Sequence, residues 1–155
     1  MKSRESGMGN RESAKRSHER LEVWRDAMDL VEAIYRFSDT FPDTERFGLT
    51  SQIRRAAVSV PSNIAEGAAR RSTPEYLRFL SIARGSLSEM DTQRLIACRL
   101  GYAEPCDITT ELIERVFAKL TALMNALASK PEREREIRPS DSPFSILDSR
   151  HSHAR

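Results

Sequence analysis

Leu49-Thr50-Ser51-Gln52-Ile53-Arg54-Arg55-Ala56-Ala57-Val58-Ser59-Val60-Pro61-Ser62-Asn63-Ile64-Ala65-Glu66-Gly67 is the stretch on which the fold turns. Leu49, Ile53, Ala56, Ala57, Val60 and Ile64 recur at helical spacing and line one side of an α-helix, whereas a half-buried strand would alternate. Thr50 or Ser51 is expected to cap its start. Pro61 lies in the middle, where it removes one backbone hydrogen bond and clashes with the preceding turn, so a kink is expected there. Ser59, Ser62 and Asn63 surround the proline, and short polar side chains bond readily to loosened backbone. Ser59, Asn63 and Glu66 are expected to form a structural polar network at the kink.

Working outward, the preceding segment places Glu22, Arg25, Asp26, Asp29, Glu32 and Arg36 on a polar stripe. Leu21, Val23, Trp24, Ala27, Met28, Leu30, Val31, Ile34, Tyr35 and Phe37 are left for the rest of that helix, an apolar arc wider than one amphipathic stripe. Such an arc predicts burial against another subunit. Pro42 ends this helix, and residues 41–48 form a connection. Downstream, Ser72-Thr73-Pro74-Glu75 combines a hydroxyl cap, proline at the first helical position and an acid facing the positive helix end. The third helix is expected from Pro74 to about Leu100, with Gly101 as its left-handed exit. Tyr76, Phe79, Leu80, Ala83, Leu87 and Met90 mark its core side, and Ala83, Gly85 and Ser86 a narrow waist for a close neighbour. Asp107 or Thr109 is expected to cap a fourth helix, whose seam is Ile113, Val116, Leu120, Leu123 and Leu127. The fold class is therefore all-α, an antiparallel up-down-up-down four-helix bundle.

The bundle is expected over residues 19–130. Residues 1–18 and 131–155 have few large apolar side chains and read as disordered tails, the first of them basic. No apolar run is long enough to span a membrane, and residues 1–20 lack the apolar segment of a signal peptide, so a cytoplasmic location without membrane association is expected. In the whole chain, 25 Lys and Arg face 23 Asp and Glu. That near-balance hides a division: residues 19–45 hold 3 basic and 8 acidic residues, while residues 46–99 hold 9 Arg and 4 acids.

The residue types exclude most chemistry. His18, His151 and His153 all fall in the predicted tails, which removes imidazole from the bundle and with it Ser-His-Asp, Cys-His and di-iron Glu-x-x-His arrangements. Cys98 and Cys106 fall short of a disulfide framework or a four-cysteine zinc site. No glycine-rich phosphate loop occurs. No catalytic residue, metal site or cofactor is expected; an enzyme would rest on Asn63 and Glu66 alone. The remaining candidates are arginines, whose guanidinium groups bind phosphate in a forked geometry. Arg54 and Arg55 lie on the second helix, Arg70 and Arg71 at its end and Arg78 in the first turns of the third, so Arg70, Arg71 and Arg78 are expected to share a corner. The competing reading is that the acidic first helix neutralises them.

The segments Leu21-Glu22-Val23-Trp24, Arg46-Phe47-Gly48-Leu49-Thr50-Ser51-Gln52-Ile53-Arg54-Arg55-Ala56, Ser59-Val60-Pro61-Ser62-Asn63-Ile64-Ala65-Glu66-Gly67 and Tyr76-Leu77-Arg78-Phe79-Leu80-Ser81-Ile82-Ala83-Arg84-Gly85-Ser86-Leu87-Ser88-Glu89 resemble the bacterial four-helix bundle proteins also called 23S rRNA-intervening sequence proteins. The resemblance covers about residues 19–130. It implies a homo-oligomer, a ring-like pentamer, and for some members a gene within an intervening sequence of large-subunit ribosomal RNA. The chain is also similar to the accessory protein of diversity-generating retroelements, which implies nucleic acid and a reverse transcriptase as partners. The functional expectation is a non-enzymatic oligomeric scaffold that binds RNA or DNA through Arg54, Arg55, Arg70, Arg71 and Arg78; the alternative is a protein-interaction adaptor without nucleic acid.

Overall fold

The computed structural model describes residues 16–129. Apart from Arg16, Ser17 and His18, both expected tails lie outside the described residues. Ser17–Arg20 forms one 3-10 turn, and the His18 ring meets Trp24 edge-on with centroids 5.2 Å apart. One imidazole thus belongs to the bundle, contrary to the expectation that all three lie in tails.

Four helices follow: α1 Glu22–Ser38, α2 Leu49–Ala68, α3 Thr73–Arg99 and α4 Asp107–Ala128. In α1, Val23, Ala27, Leu30, Ile34 and Phe37 are buried at alternating four- and three-residue steps. Trp24 and Val31 are half-buried, whereas Met28 and Tyr35 stay exposed, so the outer part of the wide arc is uncovered in the single chain.

The start of α2 departs from expectation. Gly48 occupies the cap position without a capping side chain, and the carboxylate of Glu45 accepts the Leu49 amide at 2.9 Å. Neither Thr50 nor Ser51 caps the helix. The Glu45 carboxylate neutralises an amide at the positive helix end, which a hydroxyl one or two residues inside the helix does not reach. The helix runs unbroken through buried Pro61. There Ser62 Oγ donates to the Val58 carbonyl and Asn63 Nδ2 to the Ser59 carbonyl, both at 2.8 Å, whereas the carbonyl that Pro61 leaves without an amide is that of Ala57.

Helix α3 starts as its sequence dictates: Ser72 Oγ accepts the Glu75 amide at 3.4 Å and donates to Glu75 Oε2 at 2.8 Å. It ends on Gly101 at φ 71°, where the amides of Gly101 and Tyr102 bond back to the carbonyls of Cys98 and Ala97 at 3.1 and 3.0 Å. Helix α4 is preceded by Cys106; Asp107 is its first residue, Thr109 is buried, and neither is a cap.

Each helix packs against two others, α1 with α2 and α4, and α3 with α2 and α4. The registers are antiparallel. Gln52 meets Gln93 and Ser59 meets Ser86 between α2 and α3, while Glu22 and Asp26 meet Lys119 and Arg115 between α1 and α4. Arg54, early in α2, reaches Ser38 at the end of α1. These registers are compatible with the up-down-up-down order. One contiguous core results, centred on Leu30, Ile34, Ile53, Ile64, Leu80, Leu87, Met90 and Leu120, each at most 1% exposed. Burying each such side chain contributes about 1.5–3 kcal/mol.

Close approach of α2 and α3 depends on Gly67, where an added Cβ would lie 2.8 Å from Tyr76 Cδ2 and 3.0 Å from Phe79 Cβ. Ala83 and Ser86 face the bundle, but Gly85 is exposed with nothing within 4 Å of an added Cβ, so it is no part of a waist.

Candidate nucleic-acid interface

Charge pairing between helices decides which arginines remain available. The acids early in α1 turn to α4: Lys119 Nζ lies 3.0 Å from Glu22 and 2.8 Å from Asp26, and Arg115 Nε lies 3.2 Å from Asp26. Asp26, and to a lesser degree Glu22, raise the Lys119 pKa above its ordinary 10.5 by bonding its charged form. Glu32 pairs with Arg36 on its own helix at 3.3 Å. Only Asp39, just beyond α1, reaches an arginine of the middle segment, Arg54, at 2.7 Å. Mutual neutralisation of the acidic and basic segments is thus realised at one pair among the described residues.

Arg54 is a tie between α1 and α2. Its Nε donates to Ser38 Oγ at 2.7 Å, and its guanidinium lies 4.7 Å over the Tyr35 ring. With the Asp39 pair, these contacts engage its Nε and one terminal nitrogen. Arg55, the next residue, faces solvent and forms no ion pair among the described residues. Around it, Tyr35, Arg46, Phe47, Thr50, Ser51, Arg54 and Val58 line a shallow groove of about 520 Å³ between α1 and the start of α2. Phe47 is 90% exposed. The Arg46 guanidinium stands 5.8 Å from the centroid of its ring.

The other arginines lie elsewhere. From Arg54 to Arg70 the chain climbs sixteen residues, about 24 Å of helix, so Arg54 and Arg55 lie at the opposite end of α2 from Arg70 and Arg71. At the far end Arg70 pairs with Glu66 and lies 4.6 Å over the Phe79 ring. Arg71 and Arg78 are exposed, without an ion pair among the described residues.

Of the polar residues expected at the kink, two come together. Asn63 Nδ2 donates to Ser59 Oγ at 2.9 Å, and Ser59 Oγ shares a hydrogen bond of 2.9 Å with Ser86 Oγ, so the network extends to α3. Glu66 is not part of it; it points to solvent and holds Arg70. Its spacing of three from Asn63 suits a shared face, but four residues on, Arg70 supplies the stronger, charged partner.

Arg46, Phe47 and Tyr35 are the site residues that sequence reading missed. The available signal was Arg46-Phe47-Gly48, an aromatic between a cation and a glycine in a connection, where no core position awaits it. A second recess lies at the same end, lined by Phe37, Thr40 and residues 101–108. In it the Thr109 hydroxyl, with the Thr109 amide, lowers the Cys106 thiol pKa by bonding the thiolate. Among the described residues no three His, Cys, Asp or Glu side chains cluster as a metal site, and no helix is long and apolar enough to cross a membrane.

Residues 19–126 match the family model described as 23S rRNA-intervening sequence protein. The chain belongs to that family. The match runs from the end of the 3-10 turn to the last turn of α4, both arginine groups included. No curated protein matches it.

Proposed function

We propose that this protein is a non-enzymatic, oligomeric helical scaffold that binds RNA or DNA through its exposed arginines, chiefly Arg55, Arg71 and Arg78. The observation that carries the reading is that Glu22 and Asp26 of α1 turn toward α4 while Arg55, Arg71 and Arg78 face solvent with no carboxylate partner among the described residues. Phosphates are strong acceptors for such forks. Self-association is supported by the apolar side chains that a single chain leaves exposed on α1, on α3 and just beyond it, namely Met28, Ile82, Leu95, Ile96 and Leu100. A ring of copies would also repeat each arginine group around its circumference, multiplying weak contacts.

The test is equilibrium binding of RNA and DNA to the full chain across a salt series, with mass measured by light scattering. Affinity should fall steeply with salt, by a log–log slope of about 0.7–0.9 per phosphate contact, and fall further on changing Arg71 and Arg78 to Glu. No binding at about 50 mM salt by a properly assembled multimer would remove the nucleic-acid reading and favour the adaptor, whose surface would be the same exposed apolar residues.

A further inference from the structure

We propose that the groove between α1 and the start of α2 is a stacking platform for unpaired bases, so that the ligand class is single-stranded nucleic acid. This rests on the reading above and assigns it a site. Phe47 is 90% exposed, and Tyr35 is 41% exposed with the Arg54 guanidinium against its ring. Large aromatic faces in water have a free-energy cost that stacking removes, and every base offers a π-face.

The polar lining matches the rest of a nucleotide. Arg46, Arg54 and Arg55 line the groove and no carboxylate does. Thr50 and Ser51 contribute hydroxyls, and their amides, in the first turn of α2, have no hydrogen-bond partner among the described residues because Glu45 takes only the amide of Leu49. Unpaired first-turn amides beside arginines suit a phosphate oxygen. Aromatic faces for bases and cations for the backbone therefore occur in one groove. Duplex, whose bases are already stacked on each other, would use the cations and leave Phe47 idle. Arg54 is already paired with Asp39, so a second copy of the chain would have to present carboxylates to Arg46 and Arg55, whereas a nucleic-acid strand carries its anions with it.

Fluorescence anisotropy with labelled oligo(U), oligo(dT) and a duplex of equal length tests this on the full chain. Phe47→Ala leaves the core untouched, which circular dichroism checks. It should weaken binding of both single strands by roughly tenfold while the duplex affinity stays nearly unchanged, and the salt slope should not move. Arg55→Ala should instead lower the salt slope by about one for every ligand. The effect is expected with RNA and DNA, since neither stacking nor phosphate contact needs a 2′-hydroxyl. Wild-type affinity for Phe47→Ala, an equal loss for duplex, or a change in its mass by light scattering, which would place the ring in a subunit contact, overturns the platform. Absence of binding by the wild type to any of the three probes overturns the nucleic-acid reading itself, so the two failures are distinct.

Discussion

Replacing Gly67 with alanine measures how tightly α2 and α3 are held together. The new Cβ would stand 2.8 Å from Tyr76 Cδ2, 3.2 Å from Tyr76 Cε2 and 3.0 Å from Phe79 Cβ. The tyrosine ring can swing, but Phe79 Cβ is fixed to the α3 backbone, so the helices must part or the ring must leave its rotamer. Overpacking of this kind costs about 1–3 kcal/mol. Against it stands the gain from removing a glycine within a helix, about 0.5–1 kcal/mol. The net expectation is a loss of about 1–2 kcal/mol, or roughly 4–8 °C in melting temperature for a domain of this size. Gly85→Ala supplies the internal control: it sits inside α3 with open space around its missing Cβ, so only the propensity gain acts and stability should rise by up to about 1 kcal/mol. Urea unfolding followed by circular dichroism, at one protein concentration for all three chains, gives both numbers. If Gly67→Ala is as stable as Gly85→Ala, the contact between α2 and α3 at this level is looser than the structure holds, and the packing argument fails.

Two further outcomes follow from the charge arrangement. Arg54→Ala should lose about 1–2 kcal/mol, because it strips the Ser38 and Asp39 partners and the Tyr35 ring together, whereas Arg55→Ala should stay within about 0.5 kcal/mol; equal effects in urea unfolding would contradict the division between tie and free cation. Lys119 has a raised pKa, so its contribution is complete below the ordinary value of 10.5 and is lost as pH rises through the folded-state value. The stability difference between the wild type and Lys119→Met should therefore hold from neutral pH to about 10 and shrink above it; a difference that shrinks on acidification from pH 7 to about 6 would count against the pairing with Asp26 and Glu22.

The four helices were legible because their signals are local. The three-four spacing of Ile53, Ala56, Val60 and Ile64, the Ser72 cap and the Gly101 exit each act within a turn or two of chain and appear in the structure as read, with α3 starting one residue earlier, at Thr73. What failed depends on reach. A hydroxyl at Thr50 resembles a cap, but the carboxylate of Glu45 arrives from the preceding turn. Gly85 belongs by size to a small-residue cluster, yet its position on α3 turns it to solvent.

The arginines show the same limit at longer range. Segment charge is countable from sequence, but which arginine is neutralised depends on which helices are neighbours and which faces meet. The first two acids of α1, Glu22 and Asp26, point at α4, a helix 97 residues away between Glu22 and Lys119, so the expected compensation by the middle segment reduces to Arg54 and Asp39. Phe47 was missed for the opposite reason: periodicity weighs residues inside elements, and it stands in a connection, where its only signal was its neighbours.

The Glu45 cap carries one more consequence, for how this sequence can change over generations. The same carboxylate accepts the Leu49 amide through Oε2 and the Tyr102 hydroxyl through Oε1 at 3.4 Å, and a Cβ on Gly48 would stand 2.5 Å from Oε2. Any residue larger than glycine at 48 evicts the carboxylate, and loss of the carboxylate at 45 removes the reason for glycine's placement while freeing Tyr102 from its partner. Positions 45, 48 and 102 are therefore coupled through one carboxylate, so the effects of substitutions at them should not add, although they lie in two different connections of the bundle.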